Sequence, residues 1–441
     1  MAKRKNSNEG WKDFFEANSN VLDEISRKGL CKVTASQIKD YREPRLMTKH
    51  DSIDSVPKPL TDRKLNVLSA SKNEYYIGDF NVFKNFPEKA PHEIISVEPP
   101  AYETLNAKSI TSEANAINAL TVCNILDDFL EEDGIVQTFN GRMRSSSFDF
   151  NIQRYNGGTS SLSIENAQME IDAGFESYES VIILEAKNII HDDFNIKQLY
   201  YPYRKYKTIA TKPIRLIFSQ YSNLKYNLYE YSFANPNDFS SICLLKQKSY
   251  IFEDQCITQD EIYDQCRETK VIYDDCADTS AAPPPFPQAD SIDRILSVIE
   301  FLSSMPNGEA TKDEVVAFMG LTERQADYYP TAGQYLKLID RPRRGLIKLT
   351  QKGAELLKLE QRSERLLKFV SHVFEHRIFN ELYLETIHNG RIPNKQKVIT
   401  LMKRYRVLKG TEGKCSESTY SRRAQTVIKW IEWISSLADE E

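Results

Sequence analysis

Apolar and polar positions along this 441-residue chain change period several times, and each change marks an element. The densest apolar run is Val181-Ile182-Ile183-Leu184, four consecutive aliphatic residues that read as a buried strand. Residues 163–172 read as a strand before it, with Ala173-Gly174 opening the turn that returns the chain antiparallel. Upstream, Phe14, Phe15, Val21, Leu22 and Ile25 have helical spacing, and residues 75–80 read as a short strand. Pro99-Pro100 marks a boundary, after which Thr111-Ser112 offers a cap for one long helix over residues 113–131. Beyond the hairpin, Asp192-Asp193 are expected to cap a helix to about residue 208, with Pro202 suggesting a kink. Residues 214–219 and 226–231 supply two more strands.

A stiff proline run at residues 281–288 introduces a different pattern. Ile292, Ile295, Leu296, Ile299 and Leu302 fall on one helical face. Thr311-Lys312-Asp313-Glu314 and Thr322-Glu323-Arg324-Gln325 are capping boxes that open two further helices, the third running toward Leu338 with Pro330 inside it. A basic turn containing Arg341, Arg343 and Arg344 and a strand over residues 346–350 follow. Three helices and a basic β-wing resemble a winged helix-turn-helix. The chain closes on a helix from Thr419 that resembles part of a second helix-turn-helix, with Arg422 and Arg423 expected to reach a groove and Trp430 and Trp433 reading as core.

The net charge of −5 hides an asymmetry. Residues 341–429 hold 21 Lys and Arg against 8 Glu, a net excess of 13, which suits a polyanionic partner. Seven cysteines without a CxxC pair argue against a zinc site and fit a reducing cytoplasm. His372 and His376 stand four apart on a helix without a third ligand, so no metal site is expected there. The basic N-terminus lacks the apolar stretch of a secretory signal and no apolar run is long enough to span a membrane, so a soluble, cytoplasmic protein is expected.

The chemistry is concentrated where the apolar run ends, in Glu185-Ala186-Lys187. Side chains alternate along a strand, so Glu185 and Lys187 share one face. The returning strand would bring Asp172 beside Glu185, and two close carboxylates repel unless a cation lies between them. Hard oxygen ligands of this kind suit Mg²⁺. Glu170, two residues before Asp172 on the same face, is a rival for the first acid.

Asp172, twelve intervening residues and Glu185-Ala186-Lys187 resemble the signature of the PD-(D/E)XK nucleases, although Ile171 stands where that motif has proline. The order of parts over most of the chain resembles type II restriction endonucleases of that superfamily. The resemblance implies an α/β fold, the α+β sandwich of restriction endonucleases, followed by an all-α and winged-helix region. It implies an accessory region at residues 1–100, a nuclease domain at 101–280, a linker at 281–290, a winged helix at 291–360 and a basic helical region at 361–441. Asp172, Glu185, Lys187, Glu113 and Gln198 would be catalytic. Asp172, Glu185 and Ala186, with Glu170 as the alternative, would hold Mg²⁺. Arg142, Arg144, Ser146, Arg204, Arg324, Gln325, Arg343, Arg344, Arg422 and Arg423 would contact double-stranded DNA. The implied activity is Mg²⁺-dependent, sequence-specific hydrolysis of DNA in a prokaryotic cytoplasm. The protein would act as a homodimer with a cognate methyltransferase as its counterpart. A repair or defence nuclease, or a non-catalytic winged-helix regulator, is the alternative.

Overall fold

The computed structural model describes residues 6–87, 93–107, 110, 112–252, 256–272, 286–408 and 416–439. Its centre is a seven-stranded sheet. The apolar run becomes the strand Val181–Lys187, paired antiparallel with Gln168–Glu176 and parallel with Ile214–Ser222. Lys225–Phe233, Ile242–Ile251 and the short Ile94–Ser96 extend the sheet on one side, and Val136–Arg144 forms the opposite edge. A parallel pair needs a crossover, and the helix Lys197–Tyr206 lies in it.

Alternation along the central strand divides its side chains between two cores. Ile183 packs in the core that holds Trp11, Phe80 and Phe194. Ile182, Leu184 and Ala186 pack in another with Leu120 and Phe129. Both faces are covered, which is why the strand reads as an unbroken aliphatic run and not as alternation. The N-terminal region is therefore no appendage: Trp11, Phe14 and Met47 share a core with the sheet, and Ile94–Ser96 is one of its strands.

Four sequence expectations are corrected here. The hairpin turn lies at Ser177–Ser180, and Gly174 sits inside a strand. A Cβ at Gly174 would stand 2.0 Å from the ring of Phe139, so glycine is there for close packing. The strand over 163–172 is two strands, Thr159–Ile164 and Gln168–Glu176, separated at Asn166 with φ 51°. The long helix over 113–131 is broken into Glu113–Val122 and Ile125–Leu130 by Asn124 at φ 53°. Asp192-Asp193 cap no helix, because Asp193–Asn195 is a strand paired with Phe83–Asn85 and the helix begins at Lys197.

The second half is helical. Ile292–Ser304, Lys312–Met319, Glu323–Ala326 and Tyr328–Tyr335 surround a small sheet in the order Glu309–Thr311, Leu346–Leu349, Ile339–Asp340. The predicted third helix is interrupted at Asp327, as Pro330 cannot donate to the carbonyl of Ala326 and its ring crowds it. Arg362–Phe374, Arg377–Asn389, Lys395–Arg404 and Glu417–Ser436 join the same core, and Trp430 is fully buried in it. Helix Gln259–Glu268, inside the span 101–280 expected for the nuclease domain, packs here through Ile262 and Cys266. The boundary therefore precedes it. The proline run at 281–285 lies outside the described residues.

The chain is thus a mixed α/β protein with a sheet-rich first part and a helical second part. Among the described residues, no helix is long and apolar enough to cross a membrane.

Candidate active site

The site forms where the central strand leaves the sheet. Leu184 pairs with Ala173, so Asp172 arrives opposite Glu185. At this point the neighbouring strand changes face: Ile171 packs with the N-terminal core and Ala173 in the opposite one. Asp172 takes over where the ladder ends, its Oδ2 accepting the backbone N–H of Ala186 at 2.9 Å.

Lys187 Nζ lies among the carboxylates. It stands 2.6 Å from Glu185 Oε1, 3.7 Å from Asp172 Oδ2 and 4.0 Å from Glu113 Oε1, and donates to the carbonyl of Ala186 at 3.1 Å. Ser112 caps the helix that presents Glu113 in its first turn. Gln198, in the first turn of the crossover helix, donates its side-chain amide to the same Glu185 oxygen. The period-two face read from sequence and all five residues expected to be catalytic are brought together.

The electrostatics follow from burial. Burial and the neighbouring Asp172 push the Glu185 carboxyl up to about 8, against the pull of Lys187. Burial alone would lower Lys187, yet Glu185, Asp172, Glu113 and Asp51 hold it well above the ordinary lysine range. Burial likewise raises Glu113, with Lys187 opposing.

Three residues at this site were not assigned to it from sequence. Asp51 and Lys49 come from the N-terminal region, 3.3 Å apart as an ion pair, and Lys197 precedes Gln198. Lys49 lies in a basic, proline-bearing segment that carries no catalytic pattern. The adjoining Gln198 was the one sequence signal for Lys197, and nothing local marks Asp51.

The fit to a divalent cation rests on this donor set. The Lys187 ammonium stands where a cation would, surrounded by Glu185, Asp172, Glu113 and the Ala186 carbonyl. The Oε1 of Gln198 is buried without a hydrogen bond among the described residues. Among the described residues no three His, Cys, Asp or Glu side chains are grouped to hold an ion. Two carboxylates and a carbonyl suit Mg²⁺, which keeps several of its own waters, better than an ion that needs a closed cage.

Other sequence candidates lie elsewhere. Glu170 is not part of the cluster: it pairs with Arg142 at 3.2 Å on the exposed sheet edge. Arg144 is exposed on the same edge strand, so both arginines sit on a strand and not in the expected loop. The half-buried Ser146 hydroxyl makes no hydrogen bond among the described residues. Arg204 is committed internally, donating to the carbonyls of Asp149 and Pro236 and to Tyr200, and stacking over Phe148. Gln325 is likewise occupied, donating to Asp54 at 2.9 Å across the junction of the two halves. Arg324 is exposed and donates to Tyr328, and Arg343 and Arg344 are exposed at the turn before Leu346. Arg422 lines a cleft with Lys395, Gln425 and Arg294, and Arg423 is half-buried beside it in sequence. His372 contacts Glu375 and His376 contacts the Tyr335 carbonyl.

Three family profiles match successive parts of the chain, all described as domains of unknown function: DUF6996 over residues 8–77, DUF6997 over 78–251 and DUF7226 over 295–439. The second match takes in the whole seven-stranded sheet with Glu113, Asp172, Glu185 and Lys187, and the first takes in Lys49 and Asp51. No curated protein and no solved structure matches the chain.

Proposed function

We propose that this chain is a Mg²⁺-dependent deoxyribonuclease similar to type II restriction endonucleases of the PD-(D/E)XK superfamily. One observation carries the reading. An acid, a glutamate and a lysine meet at the end of a buried strand, with Lys187 within 4.0 Å of three carboxylates. Burying such a cluster is costly, and stability alone does not call for it.

Asp172, Glu185 and the Ala186 carbonyl would hold the cation, with Glu113 as an auxiliary acid. When bound, Mg²⁺ would stabilise negative charge on the phosphoryl oxygens and make its bound water more acidic. Lys187 would then turn its ammonium from the carboxylates toward the attacking water and orient it, donating a hydrogen bond to its oxygen. Gln198 fixes the Glu185 carboxylate in place. The sandwich about the sheet is the restriction-endonuclease-like core in this reading, and residues 292–349 are a winged helix. Exposed Arg142 and Arg144 on the sheet edge, with Arg343, Arg344 and Arg422 on the helical half, would face duplex DNA. A homodimer would cut both strands of a palindromic site, and a cognate methyltransferase would protect the host.

The test is incubation of the full chain with phage DNA and Mg²⁺. Discrete fragments support a sequence-specific enzyme, and a smear supports a nuclease that reads no sequence. Lys187→Ala and Glu185→Ala should abolish cleavage while leaving DNA binding in Ca²⁺ largely intact. Equal single-turnover rates for wild type and Lys187→Ala would overturn the assignment.

A further inference from the structure

We propose that Lys49 and Lys197, organised by Asp51 and Asn195, form the seat of the scissile phosphate. The N-terminal region would then supply part of the active site. This rests on the nuclease reading above and adds to it the groups that receive the substrate's charge.

The geometry begins with Asn195, which is almost completely buried. Its side-chain amide donates to the His50 carbonyl at 2.8 Å, and its backbone N–H donates to the Asp51 carbonyl at 2.9 Å. Its side-chain oxygen accepts the backbone N–H of Lys197 at 3.1 Å. A fourth bond, from Ile53 N–H to Asp193 Oδ1 at 2.7 Å, extends the same junction. One asparagine thus fixes the segment from Lys49 to Asp51 relative to Lys197, although more than 140 residues separate the two in the chain. The next residue after Lys197 is Gln198, which holds Glu185.

The charges show what the arrangement is suited to. Asp51 acts on Glu113, Glu185, Lys187 and Lys197, so its carboxylate lies within the field of the site. Counted with Glu185 ionised, as it would be beside a cation, Lys49, Lys187 and Lys197 stand against Asp51, Glu113, Asp172 and Glu185 for a net charge of −1. A divalent cation would bring this to +1, and one phosphodiester would then neutralise it. Without Lys49 and Lys197 the cation-loaded site would remain negative and repel the same phosphate. Lys49 has half its side chain exposed and can swing from Asp51 to an incoming oxygen. Asp51 is a positioning residue, holding the lysines until substrate arrives.

The experiment uses the full chain, sheared phage DNA and lysine acetylation read by mass spectrometry, beside single-turnover cleavage in Mg²⁺. In wild type, DNA should protect Lys49 and Lys197 from acetylation with Ca²⁺ present and much less without it. Lys49→Gln and Lys197→Gln should each slow cleavage by about ten-fold or more, as expected for loss of one charge-stabilising donor. Lys49→Arg and Lys197→Arg should recover most of that loss, since a folding role would not follow charge alone. Wild-type cleavage with unslowed Gln variants and unprotected lysines overturns the proposal and leaves the nuclease reading standing. Equal losses in the Gln and Arg variants, without protection, assign the lysines to folding and overturn it too. If wild type itself cuts no DNA, the underlying reading fails, and this inference fails with it.

Discussion

Lys187 neutralises what would otherwise be repulsion among buried acids, and that makes its removal informative beyond activity. Lys187→Met should destabilise the fold by about 3 kcal/mol without divalent ions, because Glu185 and Asp172 are left uncompensated. Millimolar Ca²⁺ should then restore more stability to the variant than it adds to wild type, as read by urea denaturation. An identical Ca²⁺ response in the two proteins would contradict a cation site at these carboxylates. His191 gives a second test at the same scale. Burial, with Arg294 and Lys187 nearby, pushes its imidazole down to about 3. Between that value and the usual 6.5 only the unfolded chain binds the proton. Its contribution is complete above about pH 6.5 and is lost as pH falls toward 3, about 2 kcal/mol of it between pH 7 and 5. His191→Gln should flatten the decline in urea stability over that interval, and an unchanged slope would rule out the neutral buried imidazole. Glu185, Lys187 and Asp172 were legible in the sequence because strand alternation places residues two apart on one face. Asp51 and Lys197 were not, because tertiary hydrogen bonds through Asn195 place them, and no local period encodes those.

At the scale of elements, the long aliphatic run, the caps at Ser112 and Thr311 and the break at Pro330 were readable, whereas the caps expected at Asp192-Asp193 and Thr322 do not form and the break at Asn124 carried no signal. Ala173-Gly174 looks like a turn because small residues usually make turns, yet the glycine is there to receive Phe139. Phe139 in turn stacks on Tyr206 of the crossover helix, with ring centroids 4.3 Å apart. This packing joins the edge strand, the hairpin and the helix that carries Gln198. Gly174→Ala should cost roughly 1–3 kcal/mol as an overpacking change. The double variant Gly174→Ala with Phe139→Leu should recover part of that, measured by urea denaturation at neutral pH. No recovery would mean that the glycine serves something other than the ring. The split of the predicted helix at Asn124 has the same origin: a periodic apolar stripe continues across a residue whose backbone turns left-handed. Periodicity reports which face is buried and is silent about a single reversed dihedral angle.

For the whole molecule, the decisive contact is Arg294 at the base of the helical half. Its side chain is 5% exposed and reaches Asp54 at 3.0 Å, Asp192 at 3.1 Å, the Tyr329 hydroxyl at 3.1 Å and the Ile190 carbonyl at 2.9 Å. Ile190 and Asp192 lie just beyond the central strand, and Asp54 lies three residues from Asp51. One guanidinium therefore ties the helical half to both segments that frame the candidate site. The sequence suggests domains on a stiff linker, because the proline run is visible and a buried arginine 100 or more residues from its partners in the first half is not. Further bonds cross the same junction, from Gln325 to Asp54 and from Asn223 to Glu300. The two halves should therefore unfold as one cooperative unit in calorimetry. Arg294→Met should lower the transition by roughly 3 kcal/mol, since breaking a buried pair leaves Asp54 without its main counter-charge while the exposed Asp192 returns to water. It should also separate the transition into two, the first reporting release of one half from the other. A single transition at the wild-type temperature would show that the junction contributes little and that the halves are coupled by other means.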